Sequence, residues 1–277
     1  VKPAAFDYVR AETLEEALAA LDAAGEEARP IAGGQSLGPM LNLRLAQPDV
    51  LVDIGPAPGL DAIEWSDGAV TVGANVRQAA LLADAGLPER QPLLALAMPW
   101  IGHVQTRARG TVCGSLAHAD PAAELPLLFA TLGGVAIARS TKGAREIPAD
   151  GFFAGMFETA LAPEELLAAV RFDAPAPGAG AAFREVAERH GDFAIVAAAA
   201  VADSDGVTLG LGGVDDMPVV TRWSGLAADD LEGAVMALAD SLDPRGDPRA
   251  DGAYRRRLVR TVGLETARRA MERRHAV

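Results

Sequence analysis

The sequence predicts an α+β fold made of three successive units, and three observations carry that prediction. Short apolar runs that read as strands alternate with alanine- and leucine-rich stretches at helical spacing through residue 173. The segment Ala174-Pro175-Ala176-Pro177-Gly178-Ala179-Gly180 then reads as a linker. Beyond it, strand-like runs come first and helices follow, which predicts a three-stranded sheet covered by helices.

In chain order, Phe6 to Arg10 reads as an opening strand, and Thr13-x-x-Glu16 as a capping box before Leu14, Ala17, Leu18 and Leu21. Gly25 is the stop signal. Arg29 to Ala32 is extended, a short helix runs to about Arg44, and Val50 to Ile54 is a strand. Residues 1–56 thus form a small β-α-β-α-β subdomain.

Residues 57–173 form the second. Ala62 to Trp65 and Ala69 to Gly73 flank Asp67-Gly68, a hairpin signal. Helices are predicted around Val76 to Asp84 and Pro92 to Met98, and from Asp120-Pro121 through Leu128, with Asp120 as N-cap. Strands follow at Val135 to Ala138 and Leu166 to Phe172. Residues 181–277 form the last domain. Its predicted strands are Ala181 to Ala187, Phe193 to Ala202 and Val207 to Leu211, and its helices are Ala227 to Leu242 and Gly252 to Arg274.

A formal net charge of −13 argues against a nucleic-acid partner. No apolar run approaches the roughly 20 residues of a membrane span. No secretory leader precedes Phe6, so a cytoplasmic location is expected. The one cysteine, Cys113, rules out an internal disulfide and a cysteine-ligated iron–sulfur cluster within these 277 residues. His103, His118, His190 and His275 show no metal-binding spacing, so no metal site is expected. Redox chemistry in this chain therefore needs an organic cofactor.

Two stretches point to one. Ala32, Gly33, Gly34, Gln35, Ser36 and Leu37 join a strand to a helix through paired glycines, a good cradle for an anion. Thr111, Val112, Cys113, Gly114 and Ser115 form a second glycine loop. Neither the GxGxxG nor the GxxxxGK[ST] pattern is present. Two loops far apart in sequence suit a long ligand whose diphosphate is held from both sides, and a flavin dinucleotide has that shape.

The first stretch, followed by Asn42-x-Arg44-Leu45 and Leu51-Val52-Asp53-Ile54, resembles the first FAD loop of molybdenum hydroxylase flavin subunits. Thr106 to Pro121 resembles their second, and Gly191-Asp192-Phe193-Ala194-Ile195-Val196 the opening of their C-terminal domain. That family includes carbon monoxide dehydrogenase medium subunits and the FAD domain of xanthine dehydrogenase. The resemblance implies a vanillyl-alcohol-oxidase-like FAD-binding region over residues 1–173. It implies non-covalent FAD and no catalytic side chain in this chain. It also implies a small partner subunit with two [2Fe–2S] clusters and a large molybdopterin subunit, assembled as a dimer of heterotrimers. Electrons would pass from the clusters through this flavin to an external acceptor.

By resemblance, residues 32–37 and 111–115 hold the diphosphate, and Glu124 lies near the adenosine ribose. Leu161 and Arg184 fall at positions lining the adenine and flavin regions, and Phe193 near the isoalloxazine. Read without the resemblance, Glu124 is a first-turn carboxylate favoured by the helix dipole and Arg184 a surface strand residue. His118 reads either as flavin-lining or as a packed loop histidine. Where the family has Gly-Gly this chain has Cys113-Gly114, so Cys113 is either a passive small residue or a reactive thiol. Gln35, at a position where carbon monoxide dehydrogenases tend to carry histidine, favours an N-heterocycle or other small organic substrate. A carbon monoxide dehydrogenase medium subunit, a free-standing FAD oxidase and a scaffold without cofactor are the alternatives. The arginines from Arg255 to Arg274 read either as a solvated helix face or as a docking surface for an acidic partner.

Overall fold

The computed structural model describes residues 2–66 and 68–274; Asp67 of the predicted hairpin turn and His275 lie outside them. The first unit comprises β1 (Asp7–Arg10), α1 (Leu14–Ala24), β2 (Ala28–Ile31), α2 (Leu37–Asn42) and β3 (Val50–Asp53). Its strands form a parallel sheet in the order β1-β3-β2. Thr13 caps α1 by accepting the Glu16 N–H at 3.1 Å. The Glu16 carboxylate reaches back to the Glu12 N–H at 2.7 Å, so the box closes one residue earlier than the usual reciprocal pair. Gly25 ends α1 at φ +53° and donates its N–H to the Leu21 carbonyl.

The second unit begins with β4 (Ile63–Trp65) and β5 (Ala69–Gly73). Six short helices follow: α3 (Gln78–Leu82), α4 (Leu87–Arg90), α5 (Pro92–Ala97), α6 (Val104–Arg109), α7 (Val112–His118) and α8 (Glu124–Thr131). Then come β6 (Val135–Ser140), β7 (Gly143–Pro148), β8 (Phe153–Gly155), β9 (Glu158–Thr159) and β10 (Leu166–Asp173). The main sheet runs β4-β5-β10-β6-β7, and β8 pairs with β9.

Three expectations change here. The second glycine stretch is not a loop but the first turn of α7, capped by Thr111, whose Oγ1 accepts the Gly114 N–H at 3.0 Å. Asp120 does not cap a helix; it accepts the Ala122 N–H at 2.8 Å in a turn, and α8 starts later, after Ala123. β7 was missed because it is an edge strand exposed at nearly every position, without an apolar run to signal it.

The last unit comprises β11 (Gly180–Val186), β12 (Val196–Asp203), β13 (Gly206–Gly212), β14 (Val219–Ser224), α9 (Leu231–Ser241), α10 (Gly252–Leu258) and α11 (Leu264–Glu272). Its antiparallel sheet has four strands, β11-β12-β13-β14, and not the three predicted. The fourth, an edge strand, alternates half-buried and exposed residues and so carries no apolar run. Phe193 was predicted within a strand, yet β12 begins only at Val196 and Phe193 lies in the preceding loop. A π-helical turn, Val259–Gly263, interrupts the predicted helix from Gly252 to Arg274.

The alanine run in β12 shows how the units meet. Ala197 and Ala199 belong to a core shared with the first 173 residues, whereas Ala198 and Ala200 pack with the C-terminal helices. Both faces of this sheet are therefore covered. Gly180 marks the close approach of α11, since a Cβ there would lie 2.0 Å from the Ala270 carbonyl oxygen. The arginine cluster is largely spent within the chain. Arg255 is buried, bonding the Ile195 and Gly213 carbonyls and Asp247. Arg256, Arg260, Arg268 and Arg269 pair with Asp243, Asp240, Glu232 and Glu265. Arg273 and Arg274 donate to backbone carbonyls. The solvated-face reading fits this pattern, although Arg257 is exposed and lies over the Tyr254 ring rather than against a carboxylate. Among the described residues no helix is long and apolar enough to cross a membrane.

Candidate functional site

A cleft of about 540 Å³ runs between the first unit, the helices α6 to α8 and the loop before β12. Residues 32–37 line one side, all six of them. Gly34 needs glycine for its φ of +66°, and its carbonyl accepts the Gly38 N–H at 2.9 Å, starting α2. Gly33 needs glycine for a different reason. A Cβ there would lie 2.2 Å from the Arg109 carbonyl oxygen, so the first loop touches the α6–α7 junction backbone to backbone. Arg77 donates to that same carbonyl, and its backbone pairs with Thr111.

The opposite wall comes from Thr111, Cys113, Gly114, Ser115, His118 and Glu124. Val112 does not line it: the side chain is fully buried and its N–H goes to the Val76 carbonyl at 3.2 Å. Cys113 has an ordinary negative φ, since the positive-φ non-glycines among the described residues are Arg44, Ala119 and Phe157. Its Sγ is 3.5 Å from the Val72 carbonyl oxygen, and burial pushes the thiol out of the reactive range, well above its ordinary value. A side chain is thus accommodated where the resembling family has glycine, and the reactive-thiol reading finds no support. Gly114 is the glycine that matters, because its Cβ would lie 2.6 Å from the Thr111 cap oxygen.

His118 is half-buried and its ring lies 5.0 Å from that of Phe157; burial holds its pKa below the usual histidine value, despite the charge of Asp120. Glu124 is buried, and burial raises its carboxyl to about 7, against the pull of its own backbone N–H. Leu161 lines the cleft on a loop fixed by Arg145, which donates twice to Glu165, at 2.6 and 2.7 Å, and once to the Ala160 carbonyl. That clamp, from the unforeseen strand β7, has no motif by which sequence could have shown it.

Gly191, Asp192 and Phe193 close the third side. Gly191 has φ +89° and abuts His103, and Phe193 is half-exposed at the cleft. Arg184 is not brought to the site. It sits on the other face of β11, bonded to Glu265 of α11 at 2.5 Å, because alternation along the strand turns it away from its neighbours Phe183 and Glu185. Among the described residues no group of three or more histidine, cysteine, aspartate or glutamate side chains could hold a metal. A cleft of that volume, walled by glycine backbone and small residues from three parts of the chain, has the dimensions of a cofactor site.

Comparison with known proteins agrees with that class. Residues 4–175 match the FAD binding domain in molybdopterin dehydrogenase. The 6-hydroxypseudooxynicotine dehydrogenase complex subunit alpha of Paenarthrobacter nicotinovorans is 38% identical, over 99% of this chain and 97% of its own. The carbon monoxide dehydrogenase medium chain of Afipia carboxidovorans is 33% identical, over 98% and 97%. Among solved structures, quinoline 2-oxidoreductase from Pseudomonas putida 86 superposes with a TM-score of 0.91 at 32% identity, over 98% of this chain and 99% of that one. This chain belongs to the family of FAD-binding domains of molybdopterin dehydrogenases. It is an FAD-binding oxidoreductase subunit of the molybdenum hydroxylase family.

Proposed function

We propose that this chain is the FAD-carrying electron-transfer subunit of a heterotrimeric molybdenum hydroxylase or dehydrogenase. It would take electrons from [2Fe–2S] clusters in a small partner subunit and pass them to an external acceptor. Substrate oxidation would take place on a large molybdopterin subunit, and two such heterotrimers would pair. The observation that carries this reading is the division of labour: a cofactor-sized cleft lined by both glycine stretches, in 277 residues whose single cysteine cannot ligate such clusters. Residues 1–173 would be the FAD-binding domain, split near residue 56, and 181–277 the C-terminal domain. The separation of the three-, five- and four-stranded sheets supports that division.

Within the cleft, the turn 32–37 would present backbone N–H groups to the diphosphate. Residues 111–115 at the start of α7 would close on it from the other side, their Val112, Gly114 and Ser115 N–H groups being bonded within the chain. Glu124 would accept hydrogen bonds from the ribose, and Leu161 would flank the adenine. Phe193 and His118 would lie along the flavin. Bound FAD supplies the redox chemistry, and the chain's task is to bind, orient and seal it. An N-heterocyclic or other small organic substrate is in keeping with relatives such as caffeine dehydrogenase subunit beta (38% identical over 72% of this chain) and quinoline 2-oxidoreductase. Carbon monoxide is the alternative that the carbon monoxide dehydrogenase medium chain keeps open.

Denaturing the purified protein tests the reading against a free-standing oxidase. Flavin released into solution is the expected result, and flavin that stays on the polypeptide would contradict it.

A further inference from the structure

We infer that Phe157, at the tip of the β8–β9 hairpin, is a further cofactor-binding residue whose ring stacks on a planar ring of the dinucleotide held in the cleft. The inference rests on the reading of that cleft as the FAD site.

Met156 and Phe157 are the two residues that connect β8 to β9, with Gly155 paired to Glu158 across the turn. The second of them has φ +59°, a turn position ordinarily taken by glycine, asparagine or aspartate. A bulky aromatic residue there is an outlier, and such strain persists where the surroundings fix it and a functional site uses it. Nothing about the turn asks for phenylalanine.

The core does not ask for it either. Phe129, Phe152, Phe153 and Phe172 pack edge to face with one another, and Phe152 is fully buried. Phe157 stands apart from that cluster. It is 52% exposed and lines the cleft.

The placement of Phe157 is fixed from α7. Its N–H donates to the Ala119 carbonyl at 3.0 Å, and Ala119 itself ends α7 in the left-handed conformation at φ +51°. Two left-handed residues, neither of them glycine, are thus tied to each other. The Phe157 ring lies 5.0 Å from that of His118, centroid to centroid, with the planes 39° apart. His118 supports one flank of the ring, and both side chains line the same cleft. An aromatic ring held in this way and left half bare offers its free surface to another π system, not to a phosphate or a hydroxyl.

The dinucleotide has two such systems, adenine and isoalloxazine. Phe157 touches His118, which is proposed to lie along the flavin, and its hairpin leads into Leu161, which is proposed to flank the adenine. The stacking chemistry is the same for both, and the spectrum of the bound flavin tells them apart.

The experiment uses the full chain stripped of flavin. Kd for FAD is measured by fluorescence titration, the visible spectrum is recorded at saturation, and Tm is measured without flavin. Phe157→Gly relaxes the left-handed position, so its flavin-free Tm is expected to be no lower than that of the wild type. Its Kd for FAD is expected to rise at least about fivefold through loss of the stack. Phe157→Asn also tolerates this φ and is expected to behave in the same way, which covers a Gly variant that fails to fold. Phe157→Tyr keeps the ring and is expected to keep the wild-type Kd. A shifted flavin spectrum in Phe157→Gly places the ring on the isoalloxazine, and an unshifted spectrum with weakened binding places it on the adenine. An unchanged Kd in the Gly and Asn variants overturns the inference, as does a Kd raised only together with a lowered flavin-free Tm. A wild-type chain that takes up no FAD would overturn the reading of the cleft itself, and this inference with it.

Discussion

At the scale of single residues, the two glycines of the first loop serve different ends, and substitution should separate them. Gly33→Ala puts a Cβ against the Arg109 carbonyl, which is backbone and cannot yield cheaply. FAD affinity should fall by at least about tenfold, measured by fluorescence titration, because the two walls of the cleft are forced apart. Gly34→Ala meets only the far end of Ile31, at 3.4 Å, and suffers mainly from its positive φ. A stability loss of about 1 kcal/mol is expected there, with FAD still bound. Equal effects of the two variants would show that the contact with Arg109 is not what shapes the cleft. On α7, Gly114→Ala should displace the Thr111 cap and cost about 1 kcal/mol in chemical denaturation. Cys113→Gly should cost a similar amount, through helix propensity and lost burial, while leaving FAD binding unchanged.

At the scale of elements, what sequence could and could not show divides along physical lines. The β-α-β-α-β unit was legible because its last strand is an apolar run and its first helix carries a cap and a glycine stop. Among the elements missed, β7 and β14 are edge strands without an apolar run, β7 exposed at nearly every position and β14 only half-buried on one face. β8, β9, α4 and α6 are too short for a periodic pattern. The second glycine stretch was placed correctly in sequence but read as a loop. Its helical character depends on the Thr111 cap and on the bond from the Val112 N–H to Val76, a contact made across the fold. Arg184 was misplaced because strand alternation cannot be phased until the covered face is known. The Arg145–Glu165 clamp joins residues 20 apart on two elements that no local pattern connects. Its hydrogen bonds hold the Glu165 carboxyl below the usual range. Arg145→Met should loosen the 160–165 loop and weaken FAD binding a few-fold, with little change in Tm, since a half-exposed ion pair contributes at most about 1 kcal/mol. An unchanged Kd would mean that the loop is held by other contacts.

At the scale of the whole molecule, the C-terminal sheet is a wall of the site as well as a domain of its own. One of its faces is sealed by α9 to α11, and the other shares a core with the first two units, carrying Phe183 and Glu185 to the interface. The loop with Gly191 and Phe193 thereby reaches the cleft. Family membership makes FAD the cofactor of this region. Electron transfer between subunits is the central claim, and anaerobic reduction tests it most directly. The protein is purified together with its associated subunits, substrate is added without oxygen, and the visible absorbance of the flavin is followed. Bleaching should occur in the complex and be absent when the same substrate meets this chain alone with FAD bound. Reduction of the flavin by substrate in the isolated chain would contradict the account and make the protein an oxidase in its own right.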